Sequence, residues 1–467
     1  MSGMLHERNQ IVSQWVADWR NVVAKLCHLS GVVVFIICTT NGLADEPLRL
    51  TVDPQRTTKV SYEIQISGEI ITPSADGPRR FPLKSTGQFK FHNQPHPTDL
   101  GGPFTLRARR QFESASTETT VGKDHVTKVS LRPTYRDILV FGSENGLQQV
   151  SATYPLPRKQ LDLIQMPFDV LAISAVLPTA SVKVGDKWNT DAWLVPTLTG
   201  IEAVVEQSSS CELKTLTDKT AEIAINGSIE GAVLGSVSDI SFSGALTFDR
   251  ATQLISALSV TQKEVRSPGP VSPGLDVTAK IDWKQSVPVD GTDKVEFDDT
   301  SLESRPTDKQ KLLWLQTPLR LQFAHSREWH LFHETPNVLM MRQLRNGNLI
   351  SQCNISSAIT VPPKQHTPDE EFLADVNSAV KERKGSVLKE DTVRDDGHWR
   401  IRHVQAVGDA GGEVIIWDYY LCSAATGEQF SLVFSHSRKD DAEFRGVTAG
   451  ILSSLQVARR RTSLPFR

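Results

Sequence analysis

Cysteine is scarce: there are five in 467 residues, and two of them, Cys27 and Cys38, lie in the N-terminal segment. The other three, Cys211, Cys353 and Cys422, are too few for a disulfide framework, which excludes a small stapled scaffold. An excess of one charge is also missing. With 51 basic and 54 acidic residues the net charge is -3, so the chain lacks the cationic footprint that binds nucleic acid or anionic membrane through counterion release. The apolar stretch at 26–38 is thirteen residues long, short of the about 20 that a membrane-crossing helix requires. Motifs of common chemistry are absent too. No Gly-x-Ser-x-Gly occurs, so the strained turn that exposes a hydrolase serine has no candidate. Gly269 and Gly274 have the outer spacing of a phosphate loop, but Leu275-Asp276 stands where Lys-Ser/Thr belongs.

What is present begins with an export pattern. Arg20 and Lys25 precede the apolar run, and Gly42-Leu43-Ala44 follows it with small residues at the minus-three and minus-one positions. A basic flank, an apolar centre and a small-residue exit are the parts of a secretory signal peptide. Residues 1–44 are therefore expected to be removed, with Asp45 as the mature N-terminus and no transmembrane span in the mature chain. The front of this segment, with Trp15 and Trp19, is longer than a signal needs, and translation is expected to start further in. Cys38 follows Ile37, where a lipoprotein signal has a small residue.

The mature chain reads as strands first and helices last. Between 58 and 72, Val60, Tyr62, Ile64 and Ile66 alternate with Ser61, Glu63, Gln65 and Ser67, a period of two that puts one face on a core. Strand-like runs recur at 87–92, 104–112, 125–131 and 138–141, the last ending near the hairpin dipeptide Asn145-Gly146. A short helix at 159–165 and an apolar segment at 168–177 interrupt them. A second strand series occupies 200–216, 220–229, 237–248, 254–262 and 275–283. Residues 45–285 are thus expected to form a mainly antiparallel β domain, two-lobed or a curved half-barrel. Polar, acidic, proline-containing residues 286–318 read as a linker. Beyond it, 319–458 carries a hairpin at 338–359, then Thr367-Pro368-Asp369-Glu370 as a capping box. A helix bearing Phe372, Val376 and Val380 follows, then three strands (398–407, 413–422, 428–436) and a helix with Phe444, Val447, Ile451 and Leu455 on one face. That order predicts an antiparallel sheet covered by two helices, so the whole is expected to be α+β. Residues 459–467 form a basic tail.

Trp329, the strand ending Gln352-Cys353-Asn354-Ile355, the helix after Thr367, the Trp417-Asp418-Tyr419-Tyr420 strand and the closing helix together resemble the PsbP-like α/β domain, over roughly the last third of the chain. Leu177-Pro178, Val184-Gly185-Asp186-Lys187-Trp188 and Phe248-Asp249 are similar to uncharacterised secreted β-domains of planctomycete-type bacteria, with a curved sheet like that of the LolA/LolB carriers. Both resemblances imply scaffolds used for binding; no cofactor is expected.

Candidate sites are few. His325, His330, His333 and Glu334 are dense enough to suggest a metal, but a strand sends His330 and His333 to opposite faces. His398, His403 and His436 read as structural or exposed. Asp298-Asp299, residues 369–371 and Asp440-Asp441 read as linker or helix-start acids. Trp417 and Tyr419 share one strand face and Tyr420 the other; they are core residues or, with Trp399, the aromatic contacts of a binding groove. Cys353 and Cys422 are the pair expected to bridge if any does, because both lie in strands of one domain; otherwise Cys211, Cys353 and Cys422 are three buried thiols. The expected function is a non-catalytic secreted or periplasmic binding or assembly protein of a bacterial cell envelope. One alternative is a carrier of an apolar ligand in the β region; another is a hydrolase with dispersed residues. The expected partner is an envelope protein or an apolar ligand, and not nucleic acid.

Overall fold

The alternation over 58–72 becomes strand β1 (Thr58–Thr72) with the bounds read from the sequence, and Val60 and Tyr62 are buried on its inner face. The computed structural model describes residues 48–52, 56–96, 102–288, 302–444 and 446–458. The export segment and the basic tail lie outside the described residues, as does the 289–301 part of the expected linker. After β1 come β2 (Arg79–Pro95), β3 (Arg107–Val121), β4 (His125–Ser130), β5 (Asp137–Ser143) and β6 (Gly146–Ser151), then the two-residue β7 (Leu156–Pro157) and helix α1 (Arg158–Ile164). The short β8 (Lys187–Trp188) and helix α2 (Leu194–Thr199) lead into five long strands. These are β9 (Ala203–Leu216), β10 (Thr220–Val233), β11 (Ser236–Asp249), β12 (Leu254–Arg266) and β13 (Gly274–Ser286).

The two runs of strands are halves of one twelve-stranded sheet, ordered β6-β5-β3-β2-β1-β13-β12-β11-β10-β9-β8 with β4 beside β3. The seam is the antiparallel pair β1 and β13, in continuous register from Lys59 opposite Ser286 to Ile71 opposite Gly274. Inward rings such as Phe91, Phe112 and Trp283 form one core with Leu161, Ile164, Phe168, Ile173 and Val176 of the segment crossing the inner face, and with Leu194 and Leu198 of α2. Phe168 is fully buried with a left-handed φ of 49°, uncommon for a bulky residue. It is held there by the Trp283 indole, which donates to its carbonyl at 3.0 Å, and by its own N–H, which donates to Leu198 at 2.9 Å.

The second half of the expected linker is ordered structure. Leu302 is fully buried against Leu139, Phe141 and Val150, and its carbonyl accepts from the Arg107 guanidinium at 2.7 Å. A capping box does form here, Thr307 with Gln310, at the start of helix α3 (Asp308–Lys311). Strand β14 (Leu313–Gln316) follows, then β15 (Leu321–His325), β16 (Trp329–Glu334), β17 (Val338–Arg345) and β18 (Asn348–Ser357). Helix α4 (Asp369–Lys381) begins later than expected and without a side-chain cap, because the Thr367 hydroxyl accepts from the Gln429 amide at 2.9 Å instead. The strands β19 (Ser386–Asp395), β20 (Trp399–Ala410), β21 (Glu413–Ala424) and β22 (Gln429–Ser437) complete a seven-stranded antiparallel sheet, ordered β16-β17-β18-β22-β21-β20-β19. β19 went unread because it is an edge strand whose polar residues lie on both faces, with no alternation to reveal it. Helices α5 (Asp441–Phe444) and α6 (Val447–Ser453) and strand β23 (Gln456–Val457) close the described chain.

Helix α4 sets Phe372, Val376 and Val380 against Val404, Ala406 and Trp417 on one face of this sheet. Phe444, Ile451 and Leu452 pack on the other face, with Trp399, Tyr420 and Phe434. A small third sheet, β23-β15-β14-β7, crosses the expected domain boundary, since β7 precedes the second strand series and pairs in parallel with β14. The described chain is thus mostly antiparallel β with few helices. None of the described helices is long and apolar enough to cross a membrane.

Candidate binding cleft

The inner face of the large sheet is only partly filled by its own crossing segment. Along β12 the inward positions change from Leu258 and Val260 to Gln262, Glu264 and Arg266. Beyond that transition lies a cavity of about 1410 Å³, larger than the about 300–1,000 Å³ of ordinary small-molecule pockets. One wall is apolar: Ile64 and Ile66 of β1, Leu83 of β2, and Leu275, Val277 and Ala279 of β13. The lining also takes in α1 and residues of β14 to β16, including Trp314, His325, Trp329 and His330. Two hairpin tips meet at glycines on the turns after β10 and β17. A Cβ at Gly235 would stand 2.2 Å from the Gly347 carbonyl oxygen, so a side chain there would push the tips apart. Arg342 of β17 also donates to the Pro270 carbonyl at 2.5 Å.

The polar part of the lining is held in fixed positions. Arg158, at the start of α1, donates to the carbonyls of Arg327 at 2.5 Å and Trp329 at 3.2 Å. Arg327 in turn donates to Lys311 at 3.0 Å and to Gln149 at 2.5 Å. Burial, reinforced by Arg158, pulls the Arg327 guanidinium down to about 10. His325 is buried, and both it and His330 are pulled down to about 4 by loss of solvent and by the neighbouring Arg158, so both are neutral at pH 7. Lys159 approaches Glu334 at 3.8 Å, and Arg158 approaches Asp162 at the same distance. Among the described residues, no three of His, Cys, Asp and Glu converge as a metal site. The cluster at 325–334 instead splits, with His325 and His330 on the cleft and His333 exposed.

Deeper in the same sheet, Arg110 and Asp169 form a bidentate pair at 2.5 and 2.7 Å, with both residues at most 1% exposed. Asn93 accepts from Arg110 Nε at 2.9 Å, and Asp169 also accepts the Leu171 N–H at 2.9 Å. Together with the Tyr62 hydroxyl, which donates to Pro167 at 2.7 Å, these bonds pin the crossing segment beneath the cleft.

The aromatic residues singled out from sequence do not line a groove. Trp399, Trp417, Tyr419 and Tyr420 are each less than a tenth exposed. Trp399 and Tyr420 belong to the core under α6, and Trp417 and Tyr419 to the core under α4. A sheet with helices on both faces needs large side chains on both, so packing takes all four rings. Of the two readings of Cys353 and Cys422, the bridge is corrected and the buried thiols stand, since both cysteines are free and buried. β22 lies between their strands, and at about 4.8 Å per strand spacing their Cα atoms are too far apart for the at most about 7 Å a disulfide spans. Burial raises both thiols well above their ordinary range, which leaves them protonated and unreactive.

A polar chain that sequence reading missed crosses β19 to β22. His403 meets Asp391 through Nδ1 at 2.7 Å and Asp418 through Nε2 at 2.8 Å, while its ring stacks on Tyr420. Asp418 also accepts from Gln405 at 3.0 Å, and His436 reaches Asp441 at 3.3 Å. Two carboxylates on one imidazole favour its doubly protonated form. Burial pulls the His403 pKa down, but hydrogen bonds to Asp418 and Asp391 outweigh it and leave the pKa raised. The stabilisation is therefore complete below the unfolded value of about 6.5 and lost as pH rises through the folded value. Urea unfolding of wild type and His403→Gln across pH 5.5 to 9 should show the gap between them narrowing with rising pH; a constant gap would refute the assignment.

The chain matches no protein-family profile and no curated protein. Among solved structures it is similar to DynF from the dynemicin biosynthesis pathway of Micromonospora chersina, at 10% identity over 54% of this chain and 92% of that one, with a TM-score of 0.14. It is also similar to OccK11 of Pseudomonas aeruginosa, at 8% identity over 83% and 97% of the two chains with a TM-score of 0.13. A third is the translocator domain of the autotransporter NalP from Neisseria meningitidis, at 7% identity over 83% and 90% with a TM-score of 0.12. Likenesses at this level carry no argument about fold or function.

Proposed function

We propose that this protein acts by binding, and that its ligand is a largely apolar molecule carried in the cleft between the twelve-stranded sheet and strands β14 to β16. The observation that carries this reading is the apolar wall of Ile64, Ile66, Leu83, Leu275, Val277 and Ala279 facing a cavity of about 1410 Å³. Apolar surface left unfilled by the protein's own side chains gains about 25 cal/mol for each Å² that a ligand covers. Phe168, Val170, Ile173 and Val176 of the crossing segment belong to the core, and the cleft lies beside them. The export pattern at 20–44 supports a place in the bacterial cell envelope, and the order hairpin, helix, strands, helix in 338–453 supports a PsbP-like reading of the C-terminal sheet. N-terminal sequencing of the native protein should begin at Asp45; a start ahead of residue 26 would overturn export by cleavage.

The binding reading is tested with dodecyl maltoside and an environment-sensitive apolar fluorophore. The full chain should bind both, each displacing the other. Ile66→Glu, which puts a charge on the apolar wall, should weaken fluorophore binding at least about tenfold, a change of about 1.4 kcal/mol. Affinity unchanged by Ile66→Glu, in a variant that unfolds at the wild-type urea midpoint, would sink the assignment.

A further inference from the structure

We propose that the corner of the cleft formed by Arg158, His325 and His330 holds the anionic head of the ligand, so that the molecule carried is an amphiphile with a carboxylate or phosphate group and a hydrocarbon chain. The inference rests on the cleft being the binding site and adds the chemistry of its occupant.

The charge layout is the first argument. Arg158 lines the cleft with 21% of its side chain accessible, and its hydrogen bonds run to two main-chain carbonyls. No carboxylate comes within hydrogen-bond distance of it among the described residues; Asp162 stands at 3.8 Å. Arg327 is likewise bonded, among the described residues, to carbonyls. Of the acids of the lining, Asp162, Glu202 and Glu334 are exposed, so solvent and salt screen them, and the buried Asp169 and Glu264 are already paired with Arg110 and Arg266. The guanidinium sits in a drier place where a counter-charge counts for more. Lys159 is exposed and engaged with Glu334.

The histidines supply the second. His330 lines the same corner and has no hydrogen-bond partner among the described residues, whereas the Nδ1 of His325 is engaged with the Ser326 carbonyl. Both rings are kept neutral by burial and by Arg158. An anion seated between Arg158 and His330 removes that repulsion and offers the ring an acceptor, so binding should draw a proton onto His330. In the same cavity the apolar residues of β1 and β13 offer the hydrocarbon chain its surface, with Ile66 and Val277 among the lining. Head and tail subsites thus share one cavity.

The test compares three dodecyl probes on the full chain by calorimetry: dodecanoate, dodecyl phosphate and dodecyl maltoside. The anionic probes should bind about tenfold or more tighter than the maltoside, as one charge-assisted contact gives. At about pH 5, where dodecyl phosphate is singly charged, its binding should take up a proton, seen as heat that varies with buffer ionisation enthalpy. Dodecanoate against dodecyl phosphate decides which head is preferred. In Arg158→Gln and in His330→Gln the anion-to-maltoside ratio should fall toward one, and proton uptake should vanish in His330→Gln. Arg158 also ties α1 to β16, so a fold loss there leaves His330→Gln, which breaks no such tie, to decide. Equal affinity for all three probes, or a ratio unmoved by His330→Gln, overturns the anionic subsite while leaving the cleft reading intact. Binding of no probe at all overturns both.

Discussion

Asp169→Asn is expected to destabilise the protein by about 3–5 kcal/mol, the cost of leaving a buried guanidinium without its counter-charge. The substitution keeps the shape of the side chain and removes only the charge. Arg110 cannot compensate, since it has no exposed surface and its remaining side-chain partner is the Asn93 amide oxygen. Nor can it easily turn toward water, because its guanidinium stands over the Phe91 ring at 5.2 Å in the middle of the large core. The crossing segment should loosen first, since Asp169 also receives the Leu171 N–H. Trp283, bonded to the neighbouring Phe168 carbonyl, makes the loosening visible in fluorescence. Replacing both partners, Arg110→Met with Asp169→Leu, should cost much less than the single change, because no lone charge remains inside. Urea unfolding decides it: a loss under about 1 kcal/mol for Asp169→Asn would show that water reaches the pair.

Trp417→Ala should cost about 3–5 kcal/mol, as expected for emptying a tryptophan's place in a core. The ring is 7% exposed and packs with Phe372, Val376 and Val380 of α4. The Arg383 guanidinium lies 5.4 Å from its centre. Truncation therefore removes much of what holds α4 on the sheet, and amide exchange in 369–381 should rise well before that in β20 and β21. Unchanged stability with weakened capture of a partner would restore this ring to the groove role that the sequence also allowed.

What the sequence determined by itself was local. The bounds of β1 were legible because alternation of Val60, Tyr62, Ile64 and Ile66 needs no knowledge of neighbours. The helical spacing of Phe372, Val376 and Val380 likewise identified α4 and its buried face. The end of β12 was not read: the expected strand stopped at 262, and the inward Glu264 and Arg266 that make its polar end came only with the structure. Pairing was decided elsewhere. That β1 joins β13 across more than 200 residues, turning two runs of strands into one sheet, follows from which edges meet once the core collapses, and alternation says only which side is wet. The same holds for the site. Arg110 and Asp169 are 59 residues apart, and Arg158 meets the carbonyls before and at β16 some 170 residues later. A charged residue in sequence looks alike whether it ends in solvent or in a core. Only the tertiary structure brings these groups together and removes the water, and that removal gives each contact its strength.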